Sequence, residues 1–513
     1  MAGKLLPSIE TMPLQPQIDV LQRVSTPVQC DHSGLGVRRV LEAPTAFKTA
    51  LPFLFDYQQN SAFTLTKALE RKGVRLAVDT SDTGLGKTWV ALSVMMALGE
   101  KPFAIVCPAN VVDKWERIAT NDPFNLEPEF IVSYETIRNK NKANKDLIIR
   151  HDRKWKNKTI TNYTWQAYED CILIFDEAHR CMRKGTLNSQ LLYAAVTHEN
   201  IKVLALSATL CKSPLEMQVI GYGLGLHNYK DWWQWLAKMG CTKGFFGGME
   251  FDTGSPDRSP TAKQMKARDS LELIHKHIYP LRGTGITKKE AFKNMPENRI
   301  MPEVIPTSYK SVKSYVKEIE RLTLEDQKRA DEKEQDVSSL VYNIRDHQET
   351  EIGKVEYMAE HARHLLDQGN SVILFVNYHL TIEALTKLID DREYLILSGK
   401  TKKKDRDATI KCFQINRIPL LICQNQTASE AIDLDDIDGK HPRCVLISPS
   451  YSERNLLQIL GRAHRITTKS VVMQWILFAQ GTIEERMCDM VQSKLDNLSL
   501  LQEGSFMNTL RLK

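Results

Sequence analysis

The sequence predicts an α/β protein of two lobes, each a parallel sheet with helices on both faces, with helical inserts between them. In the first half, short apolar runs alternate with helical patterns: VRLAV (74–78), FAIVCP (103–108), EFIVSY (129–134), CILIFDE (171–177) and KVLALSA (202–208). The rhythm returns with SVILFVNY (371–378), YLILSG (394–399), PLLICQN (419–425), RCVLISP (443–449) and VVMQWILFA (471–479). These runs are nearly continuous in apolar residues, the mark of strands covered on both faces. A chain of 513 residues has room for roughly two to four such domains.

Residues 1–50, rich in Pro, Gln and small polar residues, show no clear period and are read as a segment of unassigned order. Residues 51–300 are expected to form the first lobe, with a Trp- and Gly-rich insert near 226–260. A charged helical connector or protrusion is expected over 301–350, and the second lobe over 351–513. No internal repeat is visible, which argues against a solenoid.

The balance of 69 Lys and Arg against 63 Asp and Glu gives a net charge of +6. That permits a nucleic-acid partner without demanding one. The ten cysteines are scattered, with no Cys-x-x-Cys pair and no zinc spacing, and several sit in apolar runs as reduced thiols do. There is no signal-peptide core and no apolar run of bilayer length, so no membrane association is expected. A reducing compartment follows, cytoplasmic or nucleoid-associated, with a viral or phage protein in a host cell among the settings that fit.

The stretch DTSDTGLGKTW (79–89) follows a strand and opens the helical pattern KTWVALSVMMAL. Strand, Gly-containing loop and helix form the setting in which backbone N–H groups and a helix N-terminus bind phosphate. Thr83, Gly84, Leu85, Gly86, Lys87 and Thr88 are the candidate nucleotide-binding residues. Lys87 would reach the β- and γ-phosphates and Thr88 would hold Mg²⁺. An ordinary glycine turn before a helix is the plainer alternative, since Ser81 stands where the strict pattern has glycine. Downstream, CILIFDEAHR ends an apolar strand on two carboxylates. Asp176 would hold the Mg²⁺–ATP complex and Glu177 would activate water. His179 follows where a sensor of nucleotide state would sit.

In this order the motifs resemble the superfamily 2 helicases and, within them, the Swi/Snf-like DNA translocases. GLGKT with AIVCPANVVDKWERI, VSYETIR, FDEAHR and LALSATL are similar to that branch's first-lobe motifs. VILFVNY, LSGKTKKKDRDATIKCF, QILGRAHRI and GTIEERM are similar to those of its second lobe, and FDYQQNSAF to its Gln-containing entry motif. The resemblance implies two RecA-like lobes, with ATP bound between them and Gln58 contacting adenine. It also makes Ser81 tolerable, because that superfamily often lacks glycine there. Asp82 and Thr83 stand where the branch usually has Glu and Met. QNQTASEAIDLDDIDG departs further: it reads like the general superfamily form, with Ala431 in a glycine position.

Ser207 and Thr209 would couple nucleotide state to lobe movement, with Gln458 contributing from the final motif. Arg462 and Arg465, three apart on one expected helical face, would project together toward the transferred phosphoryl group. Residues 138–158 carry nine Lys or Arg against two Asp, which fits a phosphate grip or a solvated lysine-rich loop equally. KTKKKDR (400–406) is a second basic cluster. Trp232, Trp233, Trp235, Phe245 and Phe246 are read as a buried helix face in preference to a base-stacking surface. The leading expectation is an ATP hydrolase that uses ATP and Mg²⁺ to move along duplex DNA and remodel it or its complexes. The alternatives are a strand-separating DNA or RNA helicase and a non-hydrolysing nucleic-acid-binding assembly protein. A protein partner for targeting is possible, and no oligomeric state is implied.

Overall fold

The computed structural model describes residues 39–503, apart from 100, 140–146, 156–157, 167–169, 245–247, 255–257, 293–294, 306–338, 390 and 426–431. Phe245, Phe246, Ala431, most of the charged connector and most of the N-terminal segment lie outside the described residues. The described chain falls into two compact units, one of residues 39–292 and 496–503, the other of residues 295–495.

In the first unit the strands are β1 (Leu76–Asp79), β2 (Phe103–Cys107), β3 (Ile131–Ser133), β4 (Ile148–Trp155), β5 (Lys158–Trp165), β6 (Cys171–Asp176), β7 (Ile201–Leu206), β8 (Thr242–Lys243), β9 (Met249–Glu250) and β10 (Gly283–Thr284). Six of them form one parallel sheet in the order β10-β1-β7-β6-β2-β3. Side chains alternate along each strand, and both faces are apolar. Leu76, Val78, Leu173, Phe175, Val203 and Ala205 enter one core. Ala77, Ile172, Ile174, Leu204 and Leu206 enter the other. β4 and β5 make an antiparallel hairpin outside this sheet.

The second unit holds β11 (Asn298–Ile305), β12 (Ser371–Val376), β13 (Leu395–Leu397), β14 (Leu420–Gln424), β15 (Arg443–Ile447) and β16 (Val472–Ala479). They form a second parallel sheet, β11-β16-β15-β12-β14-β13. It too has a core on each face, with Ile373, Phe375 and Leu421 in one and Val372, Leu374 and Ile422 in the other.

Two segments fall differently from the sequence expectation. β11, which begins inside the stretch assigned to the first lobe, pairs along its length with β16 of the second unit. Its Pro302 makes the run look unlike a strand, yet an edge position tolerates a missing donor. The helix Ile483–Glu503 starts in the second unit, where Cys488, Val491 and Leu495 are in the core. Its last residues belong to the first unit: Leu501 enters that core and the Leu501 carbonyl lies 2.9 Å from His275 Nδ1.

The second unit also encloses an ion pair. Lys354 and Glu484 are both fully buried, with Nζ 2.6 Å from Oε1. Lys354 Nζ also donates to Ser448 Oγ at 3.0 Å and Leu477 O at 2.9 Å, while Glu484 Oε2 accepts from Ala479 N at 2.9 Å. Each charge thus has several partners, as a buried ion requires.

Candidate nucleotide site

The first unit brings the predicted residues to one edge of its sheet. β1, β7 and β6 are neighbours, and their C-terminal ends carry the glycine loop, the Ser-Ala-Thr turn and the Asp-Glu pair. The edge beyond the C-terminal ends of parallel strands is where open α/β sheets bind ligands.

The loop is closed by its own backbone. β1 ends on the fully buried Asp79, whose Oδ1 accepts from Ser81 N at 2.9 Å. Ser81 Oγ accepts from Ile286 N at 3.2 Å. A serine therefore does useful work where the strict motif has glycine. Burial raises the Asp79 carboxyl above its usual range, opposed by nearby Lys87 and the Ser81 hydrogen bonds. Lys87 Nζ folds back across the loop, donating to Ser81 O at 2.7 Å and Asp82 O at 3.1 Å.

Gly84 and Gly86 hold φ of +86° and +80°, the left-handed region that glycine enters without strain. At Gly86 a side chain would also displace the Gln58 amide, since a Cβ would lie 2.3 Å from Gln58 Nε2. Gly86 caps the helix Lys87–Leu98 with no side-chain cap. The helix's first N–H groups thus open onto the loop, a ready anion site. Thr88 stands half-buried in its first turn, and Thr83 is half-buried in the loop.

Gln58 and Gln59 are separated by their partners. Gln58 Nε2 donates to Leu85 O at 3.0 Å, and its Oε1 accepts from Phe55 N at 3.1 Å. Gln59 holds Lys48 O and Leu51 O, away from the loop. Beside Gln58, Phe55 and Tyr57 stack at 5.8 Å, and Phe292 meets both edge-on.

Asp176 is held by an interaction the sequence did not announce. Its Oδ2 accepts from Trp115 Nε1 at 2.8 Å, its Oδ1 from Glu177 N at 2.9 Å, and its carbonyl from Tyr134 Oη at 2.8 Å. Burial, then the neighbouring Glu177 charge, pushes the Asp176 carboxyl up to about 6; the Trp115 bond and Lys87 pull the other way. Glu177 itself has φ +50°, an unusual conformation for a side-chain-bearing residue. His179 Nδ1 lies 3.1 Å from both Ser207 Oγ and Glu177 Oε2. Ser207 Oγ also accepts from Thr209 N at 3.3 Å. His179, Ser207 and Thr209 therefore form one hydrogen-bonded group with Glu177.

In the second unit, Gln458 and Arg462 are buried on the helix Glu453–Ala463. The expected shared helical face needs correction: the helix ends at Ala463, and His464 is extended, so Arg465 lies beyond it. The two arginines meet through a common acceptor instead. Arg462 Nη1 donates to Ile432 O at 3.4 Å and Arg465 Nη2 to the same oxygen at 2.9 Å. Arg465 is also paired with Asp433 at 2.7 Å.

The aromatic insert is split. Trp232 and Trp235 are in the core, stacked at 5.7 Å, as expected. Trp233 is 57% exposed, with Lys184 Nζ 4.3 Å from its ring centre.

Residues 53–212 match the family described as type III restriction enzyme, res subunit, and residues 353–467 match the helicase conserved C-terminal domain. A protein of Acanthamoeba polyphaga mimivirus, provisionally named ATP-dependent RNA helicase, is 28% identical over 88% of this chain and 84% of its own. A Caenorhabditis elegans protein is 24% identical over 88% of this chain; its name is SWI/SNF-related matrix-associated actin-dependent regulator of chromatin subfamily A-like protein 1 homolog. A Xenopus laevis protein of the same subfamily is 23% identical over 86% of this chain. The chain spans 62% and 44% of those two proteins. It belongs to the superfamily 2 helicase-like ATPases.

Within that superfamily the ATPase is of the Swi/Snf-like kind, and it is a nucleic-acid-dependent ATP hydrolase. Its two parallel sheets are those of two RecA-like lobes. Among the described residues, no helix of the ATPase is long and apolar enough to cross a membrane.

Proposed function

We propose that the chain couples ATP hydrolysis to movement along duplex DNA, remodelling the DNA or what is bound to it. The observation that supports this most is the arrangement on β1, β7 and β6: Lys87 over its loop, Asp176 held by Trp115, and Ser207 joined to His179. Duplex DNA as the track is suggested by the chromatin regulators among its relatives.

In this reading the loop N–H groups and Lys87 bind the β- and γ-phosphates, with Lys87 exchanging its carbonyl partners for phosphate oxygens. Gln58 reads the adenine. Thr88 and Asp176 would hold Mg²⁺, which neutralises phosphate charge when bound. The Asp176 carboxylate at the end of β6 and the Thr88 hydroxyl in the first turn of the helix Lys87–Leu98 are oxygen donors of the kind that ion takes. Glu177 orients and deprotonates the attacking water. Arg462 and Arg465 stabilise charge on the transferred group, and Arg465 must first leave Asp433. His179, Ser207, Thr209 and Gln458 relay the nucleotide state to the conformational cycle.

The decisive measurement is ATP turnover without polymer and with duplex DNA, single-stranded DNA or RNA, using Lys87→Ala as the control. Duplex stimulation, reduced roughly 10²–10³-fold in the variant, supports translocation. A preference for RNA or single strands favours the strand-separating reading that the mimivirus relative's name suggests. That relative also suggests a virus-encoded protein working inside a host cell.

A further inference from the structure

We propose that the β4–β5 hairpin is an arm that grips the sugar–phosphate backbone of the nucleic-acid track; this rests on the function proposed above. Eight residue pairs, from Ile148↔Trp165 to Trp155↔Lys158, turn a segment that reads as a lysine-rich loop into a regular ribbon. One face is rooted in the first unit. Ile148, Tyr163 and Trp165 are buried in its core. Trp165 donates Nε1–H to Leu191 O at 3.0 Å, stacks on Phe130 and meets Phe175 edge-on at 6.3 Å. Phe175 directly precedes Asp176, so the arm is anchored beside the Asp-Glu pair.

The other face is solvent-exposed and carries Ile149, His151, Arg153, Ile160, Asn162 and Thr164. The hairpin's acidic residue Asp152 is already engaged: it pairs with Arg150 at 3.0 Å and accepts from Thr161 Oγ1 at 2.7 Å. Arg153, on this face, and Lys154, on the opposite face near the tip, follow it; both are exposed and have no ion pair among the described residues. A ribbon whose own carboxylate is paired and whose two cations near the tip stand in water, one to each side, is complementary to a phosphate backbone lying across that tip. Alternating Thr, Asn and Ile offer no pattern for reading bases, so the contact is to the backbone and independent of sequence.

The test compares wild type with Arg153→Gln/Lys154→Gln in the full chain. Binding to labelled duplex DNA, single-stranded DNA and RNA is followed by fluorescence anisotropy across a salt series, with unfolding temperature as the check on folding. The variant should bind several-fold more weakly. Its slope of log affinity against log salt on duplex DNA should be shallower by about 1–2, since each lost phosphate contact removes about 0.9. A well-folded variant with wild-type affinity and slope on every polymer overturns the inference while leaving the translocase reading standing. If wild type itself binds no nucleic acid, both fall. A loss confined to RNA supports the arm and overturns the duplex track. For a variant that unfolds, Arg153→Gln alone gives the same readout, with a slope change of about 1 expected.

Discussion

Trp115 donates its indole N–H to Asp176 Oδ2 at 2.8 Å, joining a helix of the first unit to the carboxylate at the end of β6. The bond favours the ionised carboxylate, which burial disfavours. Trp115→Phe keeps the buried ring and removes only the donor. Hydrogen bonds to charged groups contribute about 1.5–3 kcal/mol. Turnover per unit of Mg²⁺–ATP should fall by roughly tenfold or more, and the acid limb of the pH–rate profile should move to higher pH. An unchanged acid limb would show that Trp115 does not tune this carboxylate.

Gly86 is constrained twice, by φ of +80° and by Gln58 Nε2 at 2.3 Å from any Cβ. Gly86→Ala should therefore weaken ATP binding strongly while leaving most of the fold intact. Left-handed backbone costs a side-chain-bearing residue about 1–2 kcal/mol. Adding Gln58→Ala removes the collision and not the backbone strain, so nucleotide titration should show partial recovery at best.

Glu177→Gln separates binding from chemistry. The amide cannot accept the proton of water, so hydrolysis should drop by roughly 10²–10⁴-fold while ATP affinity stays near wild type. Equal losses in both would assign Glu177 to binding.

Removing one member of the buried Lys354–Glu484 pair leaves its partner charged and uncompensated. Glu484→Ala should destabilise the second unit by about 3–5 kcal/mol, read as a lower unfolding transition in urea. Lys354→Met/Glu484→Leu should recover much of that loss, because two apolar side chains of similar volume leave no orphan charge.

Burial holds the His275 imidazole below its usual pKa of 6.5, against the hydrogen bond to Leu501 O. The unfolded chain then binds the proton more readily than the folded one. The contribution is complete above the unfolded value and is lost as pH falls below it. The unfolding temperature should be lower at pH 5.5 than at 7.5. His275→Gln, which can still donate to the carbonyl, should show a smaller difference.

Ten strands of the two sheets were legible because each is a short apolar run buried on both faces, as in Ile172–Phe175 and Val372–Val376. That Lys87, Asp176 and Ser207 follow the ends of strands was legible because each comes just after an apolar run, in motifs that resemble those of the superfamily 2 helicases. The hairpin was not, because Arg, Lys, Thr and Asn alternate with few apolar residues and the charge obscures the period of two. β10 has two residues and lacks any pattern. Trp115 lies buried on the amphipathic helix Val112–Thr120, and nothing local in the sequence shows that its N–H serves a carboxylate 61 positions away. Lys354 and Glu484 are 130 positions apart, and each alone reads as a surface charge.

The helix Ile483–Glu503 has a consequence for how the chain is made. Leu501 completes a core whose other members all come from residues 76–279. During synthesis that core waits for about 200 further residues, roughly 10–40 s at ordinary elongation rates. Until then the place of Leu501 is open, and the His275 ring lacks its carbonyl partner. The nascent first unit thus has an exposed apolar seam during a defined interval, and the helix Ile483–Glu503 closes it.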